Sequence, residues 1–118
     1  MKRRLAAIVP AVAMAALAVP LITTTPAAAH APCGKTAADK DGSAWGAWAN
    51  GANTRSGSGI GCISNGIAYN TQRLDYHCYT VGNDGKTWTY LRNDSTGVTG
   101  WIRDDLLSNG GSLVYCGF

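Results

Sequence analysis

The chain has 118 residues, ten Lys and Arg against seven Asp and Glu, and a formal charge of +3. Three of the bases, Lys2, Arg3 and Arg4, stand at the N-terminus, and without them seven bases balance seven acids, all Asp. A neutral remainder excludes binding to nucleic acid or an anionic polymer by bulk charge, which requires a clustered positive face.

The three bases precede an apolar run from Leu5 to Ile22, then Thr23, Thr24, Thr25 and Pro26, then the triplet Ala27-Ala28-Ala29. Positive, apolar and small-residue regions in that order predict a cleavable secretory signal peptide over 1–29, cut between Ala29 and His30. Pro10 and Pro20 interrupt the run. A stable membrane anchor, which needs about 20 apolar residues, is therefore not expected. Subtracting 29 residues from 118 leaves 89, enough for one secreted, extracellular domain. A core of that size is marginal alone. Cys33, Cys62, Cys78 and Cys116 are an even set after a signal peptide and predict two disulfides. Three pairings are possible. The favoured one joins Cys62 to Cys78 as a local staple and Cys33 to Cys116 across the ends.

Residues 30–52 form a lead segment of turns, expected to pack on the domain, with Trp45 and Trp48 capping one end. All fifteen glycines lie beyond the leader, and no helical apolar period persists there. Short β-rich runs separated by turn residues appear instead. The first covers 51–55, and Ser56-Gly57-Ser58-Gly59 is a flexible loop. Residues 60–69 are ambiguous, because Gly61 and Asn65-Gly66 break a regular element. The clearest strand is 73–81. Alternation turns Leu74, Tyr76, Cys78 and Thr80 one way and Asp75, His77, Tyr79 and Val81 the other. Gly82-Asn83-Asp84-Gly85 is a hairpin turn, because Asn, Asp and Gly tolerate positive φ. Strands at 86–93 and 98–103 follow. Asp104-Asp105-Leu106-Leu107 predicts one helical turn with an Asp cap, and 112–116 a last short strand. This pattern predicts an all-β fold, a small barrel or sandwich.

Residues that could carry chemistry are few. His77 adjoins Cys78, but strand neighbours face opposite ways and the thiol is expected to be oxidised. Asp104-Asp105 is read as a cap and a solvated neighbour rather than a catalytic pair. Asp39-Lys40-Asp41-Gly42-Ser43 echoes a calcium loop, yet its Gly falls two places early and no Glu closes it. No C-x-x-C occurs, so zinc is not expected. Asn93-Asp94-Ser95 matches a glycosylation sequon and is read as chance. A remote alternative is copper(II) held by the His30 amine and ring with His77, since copper accepts tetragonal nitrogen sites. No catalytic residue, metal or cofactor is assigned.

Three motifs occur in order. Asn53-Thr54-Arg55-Ser56-Gly57-Ser58-Gly59 resembles the N-x-R-S-G-P opening of bacterial SH3-like (SH3b) domains, with Ser58 where the family has Pro. Trp88-Thr89-Tyr90-Leu91 resembles the W-x-x-V strand of that family. Gly100-Trp101-Ile102-Arg103 with Asp104-Asp105-Leu106-Leu107 resembles its G-W-V-x-x-x-L-L close. The resemblance implies a small SH3-like β-barrel; with the two disulfides expected from the cysteine count, which are not general to that family, the domain is read as 53–118 with a disulfide-tied C-terminal tail. The chain is read as a secreted binding module without enzymatic activity, monomeric by default, and the resemblance implies a cell-wall (peptidoglycan) peptide or an exported protein as partner. The alternative role is a secreted effector or inhibitor of a partner protein.

By the family pattern Leu91 and Ile102 point inward, with Leu74 or Tyr76. Alternation then turns Trp88 and Tyr90 to the opposite side, where rigid rings with a polar handle suit a peptide or glycan groove. The competing reading is that both rings complete a thin core. Arg55 is assigned to an acidic ligand group or, equally, to a structural turn contact.

Overall fold

The computed structural model describes residues 30–118, so the expected signal peptide, 1–29, lies outside the described residues. Five strands occupy the β-rich runs: β1 (Ala52–Arg55), β2 (Ser64–Ala68), β3 (Leu74–Val81), β4 (Thr87–Asn93) and β5 (Val98–Arg103). They form one antiparallel sheet in the order β2-β1-β5-β4-β3. The edges β2 and β3 do not pair with each other, so the sheet is open. The β3–β4 hairpin closes where Gly82 N–H donates to Lys86 O at 2.7 Å and Gly85 takes φ +79°.

A β-bulge at His77 decides the layering. Tyr76 pairs with Leu91 and Cys78 with Tyr90, leaving His77 unopposed. One extra residue reverses which side the strand presents. Leu74 and Tyr76 therefore join Ala49, Ala52, Ala68, Leu91, Ile102 and Leu107 in one core. Cys78 joins Ala31, Trp88, Tyr90, Trp101 and Cys116 in a second. Simple alternation placed Leu74 to Thr80 on a single side; the bulge corrects that. Leu91 and Ile102, expected inward with Leu74 or Tyr76, lie in that core with both of them.

The second core exists because the lead and the tail cover the sheet's other face. The lead runs beside the loop after β1: Gly34 N–H donates to Ser56 O at 2.8 Å and Ser58 N–H to Ala31 O at 2.9 Å. A Cβ on Gly57 would stand 2.7 Å from the Pro32 carbonyl, so only glycine permits this approach. The lead then passes Trp101, whose indole N–H donates to Lys35 O at 2.8 Å. The tail returns along β3, where Tyr79 N–H donates to Val114 O and Cys116 N–H to Tyr79 O. Its expected strand reduces to one parallel bridge, Tyr79 to Tyr115.

This course corrects the disulfide pairing. The bonds are Cys33–Cys62 and Cys78–Cys116, not Cys62–Cys78 and Cys33–Cys116. Each covering segment carries one cysteine and is stapled to the part of the domain beneath it. The helical turn is a 3₁₀ turn, Asp104–Leu106, with Arg103 at its N-cap and no side-chain cap, so the Asp cap is also corrected. Trp48 packs on the first core, 5.0 Å from the Tyr76 ring, whereas Trp45 lies half-exposed beneath the Arg73 guanidinium.

Candidate functional site

The rings assigned to a groove are buried. Trp88 is 2% exposed and Tyr90 5%. The Trp88 indole N–H donates to Asp84 Oδ1 at 3.1 Å. The Tyr90 ring sits between Trp101, 5.0 Å away, and His77, 5.3 Å away. Strand alternation turned both rings away from Leu91 as expected, but that side is roofed by the chain's own lead and tail. They complete a core and form no open groove. Arg55 is half-buried, and its Nη1 donates to Cys62 O at 3.0 Å, the structural turn contact. Arg55, Trp88 and Tyr90 thus do not converge on one exposed surface. The hollow that Tyr90 helps line, with Lys35, Thr36, Asn65 and Thr99, holds about 80 Å³. That is well below the roughly 300–1,000 Å³ of a ligand pocket.

The two sheet edges differ. β3 is covered along its length: Leu74 exchanges both backbone hydrogen bonds with Gly46, His77 O accepts from Lys40 N–H, and Tyr79 pairs with the tail. β2 pairs on one side only, with β1. Within β2 Asn65 and Ile67 are exposed, and Ile67, 46% exposed, is flanked beyond the strand's ends by Ile63 at 72% and Tyr69 at 47%. Sequence reasoning missed this edge because Asn65-Gly66 resembled a break. It is a bulge: Thr54 pairs with Gly66 and Arg55 with Ser64, and Asn65 Nδ2 donates to Thr99 O at 3.1 Å. A Cβ on Gly66 would meet the Val98 methyls at 3.4 Å, an ordinary van der Waals contact.

The acidic residues have separate duties. Asp104 is buried; its Oδ1 accepts from the Thr89 hydroxyl at 2.6 Å, and Thr89 Oγ1 accepts from Ser112 N–H at 2.9 Å. Burial pushes the Asp104 carboxyl above its ordinary range, against the pull of hydrogen bonds from the Thr89 and Thr87 hydroxyls. Asp105 instead pairs with Arg103 at 2.7 Å, so the two do not act as a dyad. Asp41 accepts from the Ser112 hydroxyl at 2.6 Å and from Ser43 N–H at 2.9 Å, an ordinary Asx turn in place of a calcium loop. Burial works to raise its carboxyl, but the hydrogen bonds from Ser112 and Ser43 outweigh it and hold it low. Asn93 is 2% exposed and so unreachable for glycosylation. Cys78 is in a disulfide and supplies no thiolate.

The histidines stand in different settings. His30 lines a hollow of about 360 Å³ with Pro32, Cys33, Cys62 and Asn83. His77 faces Asp39 and Asp75, each 3.9 Å from its Nε2. Burial, and then the nearby Asp39 charge, push the Asp75 carboxyl above its ordinary range. Asp39 lies in the lead and Asp75 in β3, so spacing along the sequence gave no sign of this cluster. Compared with known protein families, curated proteins and solved structures, the chain matches none.

Proposed function

We propose that the protein is a secreted, non-catalytic binding module of the SH3-like kind, which takes an extended peptide as an added strand on β2. One contrast carries this reading. The β3 edge is covered by the chain's own lead and tail, while β2 is left unpaired on its outer side and flanked by exposed Ile63, Ile67 and Tyr69. An open edge offers backbone donors and acceptors to a further strand, and alternate side chains supply the apolar contact. Exposed apolar residues gathered on such an edge mark an interaction site. Two disulfides suit an oxidising, extracellular setting.

The source of the peptide follows from the motifs at Asn53, Trp88 and Gly100-Trp101. Their resemblance to bacterial SH3-like domains points to the peptide part of the cell wall, with an exported protein as the other source of the same chemistry. Co-sedimentation of the purified protein with wall fractions, beside a pull-down from culture supernatant, separates the two. Ile67→Lys is expected to abolish binding to whichever source is captured, with an unchanged circular dichroism spectrum. Undiminished binding by that folded variant removes β2 as the recognition edge.

A further inference from the structure

We propose that Asp39, Asp75 and His77 form a binding site for a divalent transition metal ion, with zinc(II) the ion of best fit. The site is independent of the peptide edge on β2 and goes beyond that reading. The Nε2–carboxylate separations of 3.9 Å are too long for hydrogen bonds. One donor atom from each of the three residues lies within 4.8 Å of the other two. Zinc holds nitrogen and oxygen donors at about 2.0–2.2 Å, which sets tetrahedral neighbours roughly 3.3 Å apart. The two Nε2–carboxylate separations exceed that by about 0.6 Å, and the widest donor pair by at most about 1.5 Å. Asp39, whose side chain is 48% exposed, has the freedom to supply most of that movement.

The histidine tautomer gives the second observation. Ala37 O lies 3.2 Å from His77 Nδ1. A carbonyl oxygen only accepts, so Nδ1 carries a proton and donates. In the neutral ring Nε2 then presents a lone pair to two carboxylates. Repulsion among these three electron-rich donors is relieved by one cation between them, either a proton on Nε2 or a metal ion. A backbone carbonyl on the far ring nitrogen is also the arrangement that orients metal-binding imidazoles. The ring is further fixed by the bulge at His77, by Lys40 N–H donating to His77 O at 3.0 Å, and by contact with Tyr90.

The donor set selects the class of ion. All four cysteines are in disulfides, so no thiolate competes. One imidazole with two carboxylates suits zinc or copper(II), whereas calcium and magnesium prefer oxygen alone. Three protein donors leave a position open to water. Because Asp39 comes from the lead and the other two from β3, the ion would pin the covering segment to the sheet.

Calorimetric titration of the purified protein with zinc(II) alone tests this. One equivalent is expected to bind, with a rise in Tm of several degrees. His77→Gln and Asp75→Asn should each weaken binding at least tenfold, with the exposed Asp39→Asn as a second variant that leaves the fold intact. His30→Ala should leave binding unchanged. In the wild type the His77 ring signals should move in nuclear magnetic resonance spectra as zinc is added. Absence of saturable one-to-one binding overturns the site, as does binding that survives His77→Gln or disappears with His30→Ala.

Discussion

Trp88 lies 2% exposed against Thr80, Gly82 and Arg103, with its indole N–H satisfied by Asp84. A Cβ on Gly82 would stand 2.3 Å from Trp88 Nε1, which shows how closely the ring is enclosed. Trp88→Ala would leave a cavity where the surrounding backbone is pinned by a hairpin turn and cannot collapse. Truncating a buried Trp costs about 3–5 kcal/mol. Native domains are stable by about 5–15 kcal/mol, so the variant is expected to lose a large share of its stability and to unfold at a much lower urea midpoint. Ile67→Lys, on the open edge, should change stability by less than about 0.5 kcal/mol. A Trp88→Ala protein as stable as the wild type would mean that the ring does not belong to the core.

At the scale of elements, β3, β4 and β5 were legible in the sequence because alternation and the Gly82–Gly85 turn are local signals. The inward placing of Leu91 and Ile102 came from the resemblance instead, with Leu74 and Tyr76 left as alternatives where the core takes both. The bulge at His77 and the one at Asn65 were not legible, because a bulge is fixed by its partner strand rather than by its own residues. The groove at Trp88 and Tyr90 failed for a related reason: alternation says which side a ring takes, and long-range packing decides what covers it. The disulfides depend on the same long-range course. Cys33 is exposed, while Cys78 is fully buried and Cys116 nearly so. Mild reductant followed by alkylation is therefore expected to label Cys33 and Cys62 first, since thiol–disulfide exchange depends on access. Opening that bond should cost about 2–4 kcal/mol. Mass spectrometry checks both the order and the pairing. A peptide linking Cys62 to Cys78 would dismantle the covered second face.

Across the whole molecule, one buried polar network joins segments distant in sequence. Asp104 after β5, Thr89 in β4, Ser112 in the tail and Asp41 in the lead meet through hydrogen bonds of 2.6 to 2.9 Å. Gly111 takes φ +85°, and a Cβ there would stand 2.3 Å from Asp104 Oδ1, so the tail reaches the network only through glycine. The two carboxyls titrate with opposite consequences. Asp104 is raised above 3.8 by burial, so the folded state holds its proton more tightly than the unfolded chain. Its contribution to stability is fully present below that value and is lost as pH rises through the folded value. Asp41 is lowered from 3.8, so its contribution is present above that value and is lost as pH falls through the folded one. Asp104→Asn keeps an oxygen acceptor for the Thr89 hydroxyl, and its new amide can donate to the Thr87 hydroxyl, already a partner of this side chain. The variant carries no charge to desolvate. Thermal unfolding should show its Tm rising relative to the wild type at about pH 7 and not at about pH 3, where the wild-type carboxyl is already protonated. An equal difference at both pH values would mean that burying the carboxylate charge has no bearing on how the lead and tail are held to the sheet.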